Sequence, residues 1–297
     1  MKQIAIIGPG AIGGTLTAWL SRNPEHEITV AARSAFETLT LQTPDGGVIT
    51  ATPRILTDPD KATPVDWVLV TTKAYDVAGT VLWLKKLVGP RTRIAVIQNG
   101  VEHVERFAPY VPVEQLLPVM IDCPAERQAP GRIRQRGPGR MVVPEGAHAQ
   151  EFVNLFARTE FTVTPDANFK TQVWKKLCIN SAGALSAVLL KPAIIARHDG
   201  VADIMRAIVR ECIAVGRAEG AQLDDSIVDQ VINGYRSAPP DSVNSLHADR
   251  AAGRPMETDA RNGVIVRLGR THGIPTPINQ MMVALLEAAA SNAPAVS

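Results

Sequence analysis

A short apolar run, Gln3-Ile4-Ala5-Ile6-Ile7, passes directly into Gly8-Pro9-Gly10-Ala11-Ile12-Gly13, and no other stretch restricts the fold as strongly. Residues 3 to 7 have the unbroken apolar character of a central parallel strand buried on both faces. Ala11 to Arg22 then places Ile12, Leu16, Trp19 and Leu20 at helical spacing. In a G-x-G-x-x-G turn between strand and helix each glycine has a mechanical use. Gly8 permits the tight turn, Gly10 lets backbone approach a pyrophosphate, and Gly13 lets the helix pack close to the strand. The first-turn N–H groups, from Ala11 and Ile12 onward, present a positive dipole end to the phosphates. Such glycines also punctuate ordinary loops. The strand before them and the amphipathic helix after them favour a dinucleotide site over a purely structural turn.

The next β-rich run, Glu27 to Ala32, ends at Arg33-Ser34. An acidic residue at this point takes ribose hydroxyls, whereas an arginine accommodates a 2′-phosphate. No Asp or Glu lies between Ala31 and Ala35, which favours NADP(H) and assigns Arg33 to the phosphate. The alternative is a solvated loop charge. Further buried runs, Asp66 to Thr72 and Ile94 to Gln98, alternate with helical stretches at Val77 to Leu87 and Val101 to Pro109. Leu39 to Thr57 alternates around Asp45-Gly46-Gly47, a hairpin signal. Strand–helix alternation predicts a Rossmann-type, doubly wound parallel sheet. Ligands of such sheets lie outside the C-terminal strand ends, which promotes Lys73 and Asn99 to candidate site residues; each is otherwise a turn residue.

Short strands at Leu116 to Ile121, Gly131 to Gln135 and Arg140 to Val143 precede a helix at Ala147 to Ala157 and a last strand at Glu160 to Thr164. From Phe169 onward the periodicity is helical: 170–190, 200–219, 224–236, 257–272 and 276–290. The expected fold class is therefore α/β, with residues 1–167 as an NADP-binding Rossmann domain and 168–297 as an all-α substrate and catalytic domain. A length of 297 residues suits two domains. A formal net charge of +2, with no basic run of five, speaks against a nucleic-acid partner. No apolar stretch of ~18 residues is present to span a bilayer, and no leader segment precedes the first strand, so no membrane partner is expected. Cys123, Cys178 and Cys212 form no CxxC, which suggests neither disulfide framework nor zinc site and fits a reducing cytoplasm. The six histidines show no metal spacing, and the Ala-rich end, Ala288 to Ser297, is expected to fray.

Two stretches of the helical part carry more polar chemistry than packing needs. In Val173-Trp174-Lys175-Lys176-Leu177-Cys178-Ile179-Asn180, Lys176 and Asn180 share a helix face. A lysine beside an apolar stripe loses hydration and becomes a better proton donor. On spacing alone, a surface lysine lying over the core edge fits better. In the second stretch Ser245 is a plausible anion-binding hydroxyl at a helix start. Glu257 is either a carboxylate partner for an ammonium or a first-turn helix acid.

Taken together, G-P-G-A-I-G at 8–13, T-T-K at 71–73, Q-N-G at 98–100, W-K-K-L-C-I-N at 174–180, S-L-x-x-D…G-R-P-x-E at 245–257 and H-G-I-P-T-P at 272–277 resemble the ketopantoate reductase (2-dehydropantoate 2-reductase) family, in its order and over nearly the whole chain. The resemblance implies an NADPH-dependent oxidoreductase that reduces a 2-oxo acid to a 2-hydroxy acid, with the site in the cleft between the domains. Ketopantoate to pantoate, a step of pantothenate and coenzyme A biosynthesis, is the expected reaction. Carried over, Lys176 matches the catalytic lysine and Glu257 the essential glutamate. Asn99 and Asn180 match substrate-contacting asparagines, and Ser245 the serine that meets the substrate carboxylate. Lys73 matches the lysine near the cofactor, and Arg33 the 2′-phosphate contact. Family members acting on ketopantoate tend to carry an asparagine where this chain has Ala184, so a different 2-oxo acid stays open. So do a 3-hydroxyacid dehydrogenase and a non-catalytic NADP(H) sensor. A homodimer through the helical domain is among the assemblies open to it.

Overall fold

The computed structural model describes residues 1–290, and the chain divides into two compact units, Met1–Phe169 and Lys170–Ser297. The first begins with β1 (Lys2–Ile7), α1 (Ala11–Leu20), β2 (His26–Ala31), β3 (Leu39–Gln42), β4 (Val48–Ala51) and β5 (Arg54–Leu56). Then come β6 (Trp67–Val70), α2 (Val77–Leu87), β7 (Arg93–Val96), β8 (Leu116–Pro118) and β9 (Met120–Asp122). The unit continues with β10 (Ala125–Ala129), β11 (Arg132–Gln135), β12 (Arg140–Pro144), α3 (Ala149–Leu155) and β13 (Thr162–Asp166).

Six strands form an all-parallel sheet in the order β5-β2-β1-β6-β7-β8. Strand order reverses between β1 and β6, a topological switch point. Alternate residues of β1 serve opposite faces. Ile4 and Ile6 pack with Leu16 and Trp19 of α1 and Phe152 of α3. Ala5 and Ile7 pack with Leu84 and Leu87 of α2 and with Phe107. Burial on both faces is why the strand is apolar throughout instead of alternating. The doubly wound sheet expected from the sequence is present.

Two smaller sheets, β10-β11-β3-β4 and β13-β12-β9, extend this unit. β3 and β4 are the antiparallel hairpin expected around Asp45-Gly46-Gly47. In β11 Ile133 and Gln135 are buried and the arginines exposed; Trp19 Nε1 donates to Gln135 Oε1 at 2.9 Å. Val101 to Pro109 corrects the sequence reading: it is a series of turns, not a helix. Its polar side chains hold it to the end of β7. The His103 ring meets the Gln98 carbonyl at 2.9 Å, and Arg106 Nη1 donates to the Asn99 carbonyl at 3.0 Å.

The helices that follow are α4 (Phe169–Ala182), α5 (Ala184–Leu189), α6 (Asp199–Ala218), α7 (Ile227–Ser237), α8 (Ser245–Ala251), α9 (Val264–Thr271) and α10 (Pro277–Ala290). Among the described residues no strand follows β13 and no helix is long and apolar enough to cross a membrane. The continuous helix expected over 170–190 breaks at Gly183, where a Cβ would stand 2.3 Å from Tyr235 Oη. The helix expected over 257–272 is likewise not uniform, because Asp259–Gly263 is π-helical. Asn262 fixes that segment by donating to the Ser181 carbonyl at 3.2 Å and to Asn279 Oδ1 at 3.0 Å. Cys178 and Cys212, distant in sequence, lie 3.5 Å apart as buried free thiols. Burial holds the Cys212 thiol well above its ordinary pKa, so it behaves as an apolar packing group. Ala288 to Ala290 are the last turn of α10; residues 291–297 of the Ala-rich end lie outside the described residues.

Candidate active site

In the parallel sheet Ile7 pairs with both Ala31 and Val70, and Val70 pairs with Val96. Gly8, Arg33, Lys73 and Asn99 follow these positions closely and so emerge along one edge of the sheet. The glycine loop is shaped by close approach. A Cβ on Gly13 would stand 2.2 Å from the Gly8 carbonyl oxygen and 2.4 Å from Thr71 Oγ1, so no side chain fits. Gly8 has φ 89°, and Thr71 Oγ1 donates within 2.8 Å of the Ile7 and Gly8 carbonyls. Gly10 is different: a Cβ there would meet nothing within 4 Å. It is the N-cap of α1, no side chain caps the helix, and its first turn holds no acidic residue. The first-turn N–H groups of Ala11, Ile12 and Gly13 therefore adjoin open space, which fits an anionic pyrophosphate.

Lys73 and Asn99 sit on strand ends tied together by Gln98, whose Nε2 donates to the Thr72 carbonyl at 3.0 Å. Arg33 is exposed along 85% of its side chain, and its Nη2 lies 2.5 Å from Asp76 Oδ2. Asp76 is the N-cap residue of α2 but makes no capping bond, because its carboxylate turns to Arg33. The guanidinium assigned to a 2′-phosphate thus has a carboxylate partner within the chain.

In the second unit Lys176 and Asn180 are half-buried on one face of α4, while Val173, Trp174, Leu177 and Cys178 are buried. Ser245 is the first residue of α8 and exposed. Asn244 sets its position: Oδ1 caps α8 by accepting from the His247 N–H at 3.0 Å, and Nδ2 donates to the Gly183 carbonyl at 2.8 Å. That second bond ties the start of α8 to the end of α4. Glu257, at 4% exposure, is a buried carboxylate just before the π-helical segment, not an exposed first-turn acid.

One further charged residue belongs to this group and was not anticipated. Arg261, in the π-helical segment, is 2% exposed and donates from Nη2 to Ser245 Oγ at 2.7 Å. Burial depresses its pKa, and the Glu257 carboxylate, followed by Tyr235 and Asp249, opposes that shift. Helical spacing from Glu257, four residues earlier, gives no sequence signal for Arg261, because Glu257 lies ahead of the helix and the turn between them is π-helical. Tyr235 donates to the Ile179 carbonyl at 2.9 Å, and burial pushes its hydroxyl up to about 12. Ala184, where family members acting on ketopantoate tend to carry an asparagine, and the neighbouring Gly183 are small for packing reasons. Ala184 is 0% exposed, and Gly183 is pressed by Tyr235 and Asn244. A cavity of about 510 Å³ lies on the adjoining face of α4, lined by Lys175, Ile179, Tyr235, Val243 and Asn244 among others; Lys176, Asn180, Ser245 and Glu257 are not in its lining.

The family model described as Ketopantoate reductase PanE/ApbA matches residues 4–148, and the model of its C-terminal part matches residues 168–290. A 2-dehydropantoate 2-reductase of Caulobacter vibrioides is 58% identical over 290 residues, covering 98% of this chain and 100% of the relative. One from Mycobacterium tuberculosis is 40% identical over 292 residues, covering 98% of each. The crystal structure of a PanE/ApbA family ketopantoate reductase from Ralstonia eutropha superposes with a TM-score of 0.89 at 30% identity, covering 97% of this chain and 98% of that one.

Proposed function

This chain belongs to the ketopantoate reductase family, and from that premise we propose that it reduces 2-dehydropantoate (ketopantoate) to pantoate with NADPH. The observation that carries the reading is the sheet edge where Gly8, Arg33, Lys73 and Asn99 emerge beside the uncapped start of α1. This edge suits a dinucleotide, and a reduced nicotinamide bound there supplies the hydride for the keto carbon. The α1 N–H groups of Ala11, Ile12 and Gly13 hold the pyrophosphate, with Gly8 and Gly10 leaving room for it. Arg33 takes the 2′-phosphate, and its exposure together with the lack of an acid from Ala31 to Ala35 supports NADPH over NADH. Lys73 and Asn99 complete the cofactor edge, and Asn99 also contacts substrate.

The chemistry left to the protein is a proton and a grip on the acid. Lys176, as ammonium, donates to the keto oxygen and protonates the developing alkoxide. Asn180, one turn along α4, hydrogen-bonds the same end of the substrate. Ser245 donates to the substrate carboxylate, and Glu257 holds Lys176 or the product hydroxyl in place. Ala184 is buried, so its lack of an amide is weak ground for assigning another substrate. The test is kcat/KM for ketopantoate beside 2-oxoisovalerate, which lacks the terminal hydroxyl, and beside other 2-oxo acids, each with NADPH. A clear preference for ketopantoate supports the reading. Equal or better turnover of 2-oxoisovalerate would move the activity to another branched 2-oxo acid.

A further inference from the structure

Ser245 is the exposed hydroxyl of the site, and directly behind it lies a buried cation. A guanidinium carries only donors, so the 2.7 Å contact runs from Arg261 Nη2 to Ser245 Oγ. The serine oxygen is the acceptor, and its own hydrogen must point away from the guanidinium. We propose that Arg261 is a positioning residue for the substrate carboxylate, turning the Ser245 hydroxyl into an outward-facing donor and placing a fixed positive charge behind it. The inference rests on the reading of Ser245 as the carboxylate contact.

Three features support this assignment over ordinary packing. Asn262, the next residue, anchors the π-helical segment that carries Arg261 to the Ser181 carbonyl and to Asn279. Arg261 Nε and Nη1 are buried without partners, a cost a merely structural cation would not need to bear. The Glu257 carboxylate interacts electrostatically with the same guanidinium, so one buried charge serves both the Ser245 hydroxyl and the Glu257 carboxylate. π-Helical insertions recur at functional sites because they re-aim side chains that a regular helix would direct elsewhere.

The role is separable from folding because it acts through Ser245. kcat and KM for ketopantoate at saturating NADPH are measured for Ser245→Ala, Arg261→Gln, Arg261→Lys and the Ser245→Ala/Arg261→Gln double variant, with thermal unfolding followed for each. Ser245→Ala should raise KM by roughly ten-fold, the effect of one charge-assisted hydrogen bond. Arg261→Gln should raise KM by a similar factor while kcat stays within about two-fold, and Arg261→Lys, which keeps the charge and a donor, should recover most of the loss. In the Ser245→Ala background Arg261→Gln should add much less than its single effect. An unchanged KM in Ser245→Ala would overturn the carboxylate reading and the inference with it. A raised KM in Ser245→Ala with full multiplication in the double variant would overturn the inference alone. If the Gln variant fails to fold, the wild-type protein decides. The Arg261 side-chain ¹⁵N resonances, assigned from the Arg261→Lys spectrum, should shift when ketopantoate is added with NADP⁺, and no shift would refute the role.

Discussion

If Arg33 takes the 2′-phosphate as proposed, its pairing with Asp76 should make cofactor preference adjustable by a residue that need not touch the cofactor. The 2.5 Å contact joins side chains 85% and 23% exposed, and an exposed pair of this kind contributes about 0.2–1 kcal/mol. A 2′-phosphate that recruits Arg33 must share or break this pair, so Asp76→Asn should tighten NADPH binding by about 1.4- to 5-fold. Asparagine keeps the shape and suits the N-cap of α2, so little stability should change. Arg33→Ala removes a charge-assisted contact of about 1.5–3 kcal/mol and should weaken NADPH by roughly 10- to 100-fold. NADH lacks the phosphate, and its affinity should barely move in either variant. Fluorescence titration with both cofactors at low and high salt reads all four numbers, and the NADPH effects should shrink with salt. Equal shifts for NADPH and NADH, or an Arg33→Ala variant with unchanged preference, would refute the assignment of Arg33 to the phosphate.

Other substitutions probe separate parts of the account. Gly13→Ala drives a Cβ to 2.2 Å from the Gly8 carbonyl oxygen and should cost at least about 1–3 kcal/mol, seen as a lower Tm together with lost NADPH binding. Gly183→Ala collides with Tyr235 Oη and Asn244, which places Ser245, so ketopantoate KM should rise while NADPH affinity stays at the wild-type value. The His26 ring is held below its ordinary value of 6.5 chiefly by burial. The folded protein therefore binds fewer protons there than the unfolded chain, and the contribution is complete above pH 6.5 and lost as pH falls through the lowered folded value. His26→Asn should flatten Tm between pH 7 and pH 5, and an unaltered slope would place the acid sensitivity elsewhere.

The first unit was legible because its signals are local. A strand buried on both faces, a glycine loop and a helix follow one another within residues 2–20, and each reads from its neighbours alone. The small sheets were harder, since β11 is short and pairs with β3, where Arg132 meets Thr40 far back in the sequence. Val101 to Pro109 misled because its helical spacing is real but His103 and Arg106 bond to the end of β7. In the second unit the shared face of Lys176 and Asn180 was legible from their spacing on one helix, whereas the roles proposed for them came from the family resemblance. Arg261 was not legible, because an arginine in a charged helix is usually a solvated face. Its burial depends on a π-helical turn and on a contact with Ser245, 16 residues away, and neither the turn nor the contact has a sequence signature. Arg33 was legible as a cation at the end of β2, whereas its tie to Asp76 depends on how β2 and β6 end side by side across β1.

The measurement closest to the central claim compares wild-type protein with Lys176→Ala in the reduction of ketopantoate, following NADPH absorbance at saturating concentrations of both. Lys176 is half-buried on α4, and replacing it removes the proposed proton donor with little packing volume lost from the core. With Tm and NADPH affinity preserved, kcat should fall by roughly 10²–10⁴, the range for a positioned general acid. A variant that folds, binds NADPH and keeps a kcat near wild type would contradict the account.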